Sequence, residues 1–118
     1  MAAHPPSRHQ LEIAPQETLE RHRARQVQLV DVREDYEVRA GMIAGAQHIP
    51  MHQLGTRAAS LDAERPLIFY CRIGARSAIA AAAFRDAGYD AWSMTGGLEA
   101  WAGGGLPLAP DDGVVAGH

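Results

Sequence analysis

The stretch LIFYCRIGARS at 67–77 constrains the fold of this chain more than any other, and it holds the only cysteine. Pro66 precedes the apolar, aromatic-ended run Leu67 to Tyr70, which has the length and composition of a fully buried strand. Cys71 falls where that strand ends. Ser77 then opens the alanine-rich run SAIAAAAFRDAG, which predicts a helix closed by Gly88 just beyond its C-terminus. The cysteine therefore lies in a strand–loop–helix turn. Such a turn aims backbone N–H groups and the positive end of a helix dipole at whatever occupies its mouth.

Anions are favoured in that position. A free thiol titrates near ~8.5, and a helix N-terminus with flanking arginines lowers this value by stabilising the thiolate. On this reading Cys71 is a nucleophile at neutral pH, set in a loop of Arg72, Ile73, Gly74, Ala75, Arg76 and Ser77. A lone cysteine is by default a small buried hydrophobe. A packing cysteine, however, gains nothing from two arginines and a glycine in the following loop, whereas one that handles an anionic substrate uses both.

The rest of the chain supplies the frame. At 118 residues it is long enough for one core and too short for two. Residues 1–9, with adjacent prolines, are expected to be a mobile tail, 10–108 the folded domain and 109–118 a loose C-terminal tail. Gln10 to Ile13 is predicted as a short edge strand and PQETLERHRAR as a solvated helix with Pro15 in its first turn. VQLVDV at 27–32 reads as a strand, and REDYEVRAG as a helical segment stopping at Gly41. A brief strand at 46–49 ends at Pro50, and MHQLGTRAASL reads as a helix weakened by Gly55. Tyr89 to Thr95 form the last strand, Gly96 and Gly97 a tight turn and LEAWAGGG a final helix.

Strands alternating with helices, joined by connections too long for hairpins, imply right-handed crossovers and a small α/β domain with a parallel sheet covered on both faces. In such sheets ligands bind beyond the carboxyl ends of the strands, where Cys71, the segment after Val32 and the Gly96-Gly97 turn converge.

The formal net charge of -3 gives no pull toward nucleic acid or acidic membranes, so the loop arginines form a local positive spot. The apolar run at 78–84 falls far short of the roughly 20 residues that span a bilayer. A single cysteine and an N-terminus without the apolar core of a signal peptide point to a reducing cytoplasm. Arg33 and Glu37, four apart on a helical turn, are expected to pair with each other, and Asp31 to brace backbone near the active rim. Of the six histidines, His48 and His52 have the spacing of metal ligands, but Pro50 between them breaks a shared helix, so no metal is expected. Phe84, Tyr89, Trp92 and Trp101 read as core.

These residues resemble a known family, the rhodanese domain of sulfurtransferases, across roughly residues 10–108. DVREDYEVRAGMIAGAQHIP at 31–50 resembles its first signature, LIFYCRIGARS its active-site strand and loop, and GGLEAWAGGGLP at 96–107 its C-terminal signature. The resemblance implies a five-stranded parallel sheet with flanking helices, with Cys71 carrying a persulfide and Arg72 to Arg76 cradling it. It also implies a small sulfur-containing anion as donor, with a thiol, protein thiol or cyanide as acceptor, and no cofactor. The arginines at 72 and 76 match thiosulfate-using members. Met42 stands where the family often has histidine, and His48 where asparagine is common.

Two other functions use the same residues. One is a non-catalytic persulfide carrier or regulatory module that docks a partner protein. The other is a cysteine-dependent phosphatase or arsenate reductase, against which loop length argues. Such phosphatases resemble C-x-x-x-x-x-R, whereas only Arg72 to Ala75 separate Cys71 from Arg76, and Ser77 stands where the phosphatase arginine belongs.

Overall fold

The computed structural model describes residues 11–117. The apolar runs become strands β1 (Glu12–Ile13), β2 (Gln28–Asp31), β3 (Gln47–His48), β4 (Leu67–Tyr70) and β5 (Ala91–Met94). Between them lie helices α1 (Pro15–Arg23), α2 (Asp35–Ala40), α3 (Leu54–Arg57), α4 (Ala75–Asp86) and, after β5, α5 (Gly97–Gly103). The sheet order is β1-β5-β4-β2-β3 and every neighbouring pair is parallel. This is the expected five-stranded parallel architecture.

β2 and β4 are buried at every position, because both faces of the sheet are covered. Val30 and Phe69 point into the core shared with α3 and α4. Leu29, Ile68 and Tyr70 point into the core shared with α1 and α5, where Trp101 is fully buried and donates its Nε1–H to the Pro107 carbonyl at 2.8 Å. On the α4 side, small Ala80 and Ala81 let the helix lie close to the sheet. Phe84 fills the end of that interface, its ring 5.0 Å from Phe69 and 4.9 Å from Tyr89.

Because all strands run the same way, the carboxyl ends of β2, β4 and β5 share one edge, and Asp31, Cys71 and Gly96 lie along it. α4 starts at Ala75, two residues before the start read from sequence, because Gly74 takes the left-handed φ of 106° that turns the chain into the helix. Its far end closes as expected, with Gly88 at φ 99° and the Tyr89 N–H on the Phe84 carbonyl.

Two expectations are corrected. The helix read over 51–61 is three short pieces: a 3₁₀ turn at Met51–Gln53, α3, and a second 3₁₀ turn at Ala58–Ser60. Gly55 weakens the helix, and of its apolar residues Leu54 and Leu61 are buried in the core while Met51 and Ala58 only pack against its edge, so little holds one continuous axis. The segment from 109 is not loose. Met42 and Ala109 exchange backbone hydrogen bonds at 3.0 and 2.7 Å, the Val114 N–H donates to the Ala40 carbonyl, and Val115 packs against the α1/α5 core. The expected tail at 1–9, with His4 and His9, lies outside the described residues, as do Gln10 and His118.

Candidate functional site

Cys71 leaves β4 with its carbonyl, and that of Arg72, turned toward the start of α5. The N–H groups of Leu98 and Glu99 donate to them at 2.8 and 2.9 Å. This approach depends on Gly97, whose φ is 61° and where a Cβ would stand 2.5 Å from the Arg72 carbonyl and 2.6 Å from that of Cys71. With its carbonyls drawn to α5, the loop presents N–H groups on its other side. Gly74 and Ser77 direct theirs onto the Cys71 Sγ, at 3.1 and 3.4 Å. The Ser77 Oγ adds a contact at 3.5 Å, and both residues are fully buried.

The sulfur thus sits in an amide nest at the N-terminus of α4. Burial pushes the thiol's pKa up. The hydroxyl and N–H of Ser77, the N–H of Gly74 and the charge of Arg76 outweigh it, leaving the group below its ordinary value. The donors aimed at the sulfur favour its charged form.

The loop arginines differ from the sequence reading, which left them as an open positive spot. Arg76 makes a bidentate pair with the fully buried Glu37 of α2, with Nη1–Oε1 at 2.8 Å and Nη2–Oε2 at 3.0 Å. Glu37 also accepts the Glu34 N–H at 3.0 Å in a capping box. Burial pushes the Glu37 carboxyl up, but Arg76, the Glu34 N–H and the Arg33 charge bring it below the usual 4.5. Arg72 pairs with Glu99 of α5, and its Nε is buried without a hydrogen-bond partner among the described residues. Each guanidinium charge is therefore balanced by a carboxylate from another element, and what faces the sulfur directly is amide and hydroxyl hydrogen.

Asp31 and Arg33 occupy the neighbouring strand end. Asp31 Oδ1 accepts from the Arg33 backbone N–H at 3.0 Å and from its Nε at 2.9 Å, and Oδ2 accepts from Nη2 at 2.7 Å. Nη2 also donates to the Gly41 carbonyl at 2.7 Å, and Nη1 to the Glu37 carbonyl at 3.4 Å. The expected Arg33–Glu37 side-chain pair is corrected: Arg33 reaches Asp31, two residues back, and the Glu37 carboxylate holds Arg76. Burial lowers the Arg33 pKa, and the Asp31 hydrogen bond and charge, together with Tyr70 and Glu37, raise it by more. The Asp31 main-chain carbonyl receives the Ile49 N–H at 3.0 Å. His48, the departure noted above, bonds the Arg33 carbonyl through Nε2 at 2.7 Å.

The edge therefore brings together Cys71, the whole 72–77 loop and the Gly96-Gly97 turn, with Asp31 and Arg33 one strand away and linked to the loop through α2 and Arg76. Among the described residues no three His, Cys, Asp or Glu side chains converge as metal ligands. Clefts of about 210 and 260 Å³ open beside Trp92 and Trp101, and neither is lined by Cys71 or its loop. Sequence reasoning did not assign Ser93 or Glu99 to the site. A serine inside the buried strand AWSM is a signal that could have found the first.

A family model described as rhodanese-like domain matches residues 14–103. The chain is 40% identical over 88 residues to a sulfurtransferase of Allochromatium vinosum, covering 74% of this chain and 82% of that protein. It is 37% identical over 90 residues to the thiosulfate sulfurtransferase GlpE of Pseudomonas aeruginosa PAO1, covering 75% and 81%. Among solved structures, a rhodanese-related protein from Thermoplasma volcanium superimposes with a TM-score of 0.77 at 26% identity, covering 83% of this chain and 96% of that one.

Proposed function

The chain belongs to the rhodanese-like domain family, and from that premise we propose that it moves sulfane sulfur from thiosulfate or a persulfide donor to a thiol or cyanide acceptor through a Cys71 persulfide. Its relatives support sulfurtransferase activity in general. The observation that carries the finer reading is the pair of N–H groups, from Gly74 and Ser77, directed at the Cys71 sulfur.

The Cys71 thiolate attacks the outer sulfur of the donor. As the new S–S bond forms, the donor's own bond to that sulfur breaks, and sulfite or a thiolate departs with the electron pair. The acceptor then attacks the outer sulfur of the persulfide, and Cys71 leaves as the thiolate it began as. Each step exchanges one bond to sulfur for another, so the electrons balance with no redox partner. The amides of Ala75 and Arg76, in the first turn of α4, have no carbonyl to donate to within the helix, and in this reading they receive the anionic outer sulfur. Arg76, locked by Glu37, holds that turn in place and contributes charge at a distance. Ser77, in the position of a phosphatase arginine, is bonded inward to Ser93 and offers no clamp for phosphate oxygens.

The test is a panel of thiosulfate and persulfide donors with cyanide as acceptor, run beside an aryl phosphate. Sulfur transfer with negligible phosphate hydrolysis is expected. Faster phosphate hydrolysis through Cys71 would overturn the assignment, and sulfur loading without turnover would favour a carrier.

A further inference from the structure

Behind the sulfur stands a second hydroxyl. Ser93 lies on β5 opposite Phe69 of β4, on the sheet face that meets α4, and its Oγ is 2.8 Å from the Ser77 Oγ. Both serines are fully buried. Ser77 Oγ in turn has Cys71 Sγ at 3.5 Å and the Gly74 carbonyl at 3.3 Å.

Counting donors gives this cluster a direction. A hydroxyl carries one hydrogen to donate, and burying it without an acceptor is costly. Among the described residues, the Ser77 Oγ is the only hydrogen-bond partner of the Ser93 side chain. The Ser93 hydrogen therefore goes to Ser77, since the reverse arrangement strands it. Ser77 is then an acceptor toward Ser93, and its own hydrogen is left for the sulfur or the Gly74 carbonyl. When Cys71 is a thiolate, the charge draws that hydrogen, and the chain runs Ser93 to Ser77 to Sγ, each bond polarising the next. When Cys71 is a neutral thiol, the hydrogen turns to the Gly74 carbonyl.

We propose that Ser93 is a positioning residue, whose buried hydroxyl directs the Ser77 hydroxyl onto the Cys71 sulfur and so favours the charged form. The proposal rests on the reading of Cys71 as a working thiolate. The ionisable group whose charge acts on Cys71 is Arg76 of α4, held by Glu37 and beside Tyr36 of α2, while Arg72, next to it in the chain, is held by Glu99 of α5. β4 ends in Tyr70, and β5 contributes no ionisable side chain. None of these groups is altered by a change at Ser93.

The experiment is the rate of Cys71 alkylation by a neutral reagent against pH, which is read at one thiol because the chain has no other. Ser93→Ala and the isosteric pair Ser93→Val and Ser93→Thr are compared with the unaltered protein. Loss of the hydroxyl should raise the midpoint by about half to one pH unit, the range set by one net hydrogen bond. The rate should then fall roughly threefold to tenfold below the midpoint and recover above it. Thr should restore the midpoint and Val should not, a contrast that survives if Ala folds poorly. In a Ser77→Ala background, removing the Ser93 hydroxyl should add nothing. An unchanged midpoint in Ala and Val, or an equal shift with and without Ser77, would overturn the proposal. Alkylation reads the thiolate itself, so a protein that failed to transfer sulfur yet showed these shifts would count against the proposed reaction alone.

Discussion

Two strand ends lie side by side on one edge of the sheet, and they handle charge in opposite ways. At the end of β2, Asp31 and Arg33 pair with each other: both are fully buried, and two further guanidinium hydrogens go to backbone carbonyls. At the end of β4, the loop turns its carbonyls to α5 and directs N–H groups at a single sulfur. The first is a closed ion pair that fixes the backbone, and the second is, in the proposed reaction, the cradle of an anion. Fold position alone therefore does not make a strand end a reactive site. What separates the two is the acceptor on which the donors converge, a carboxylate held by its own guanidinium partner in one and a cysteine sulfur in the other.

Substitution can break the comparison from either side. The largest loss of activity is expected on the open side, where Cys71→Ser should reduce sulfur transfer roughly a thousandfold or more while leaving the thermal midpoint near its original value. The largest loss of stability is expected on the closed side. Arg33→Ala leaves Asp31 buried without its partner, and denaturant titration should show a cost of about 3–5 kcal/mol. Equal stability losses at the two sites would mean that the cradle, too, is a structural pair.

Arg76→Ala probes the link between them. It leaves Glu37 buried without its bidentate partner, and the effect should depend on pH with a definite sign. The folded carboxyl lies below its ordinary 4.5, so its stabilisation is present above that value and is lost as pH falls through the lowered one. The gap in stability between Arg76→Ala and the parent should therefore be wide at neutral pH and narrow in acid, as read by thermal melts across that range. A gap independent of pH would remove Glu37 from the explanation.

The smallest effect is expected for Arg72→Ala. Its pairing with Glu99 is solvent-exposed on the acid's side, with 52% exposure, and such pairs contribute about 0–1 kcal/mol. A melt shifted by more than that would show that the buried Nε of Arg72 has a role beyond the pair.

These contrasts also mark what could be read from the chain alone. The run from Leu67 to Tyr70, the stop at Gly88 and the Gly96-Gly97 turn were legible because each depends on neighbours a few residues away. The convergence of three strand ends followed from parallel topology. Arg76 finding Glu37 and Ser77 finding Ser93 were not legible, because those pairs exist only once α2, α4 and β5 are packed. Arg33 misled for a related reason: i,i+4 spacing describes an exposed helix face, whereas Arg33 precedes α2 and folds back on the strand. The C-terminal segment was expected to be loose, yet the backbone of Ala40 and Met42 gives it acceptors and donors that composition does not display.

The central claim, that the β4 loop is an open cradle which carries sulfur on Cys71, is tested most directly by mass. The protein is incubated with thiosulfate or a low-molecular-weight persulfide, freed of reagent, and measured intact and after digestion. One added sulfur atom, on the peptide containing Cys71 and removed by cyanide, is the predicted result. Sulfur on any other residue, or an unmodified Cys71 in a protein that still transfers sulfur, would contradict it.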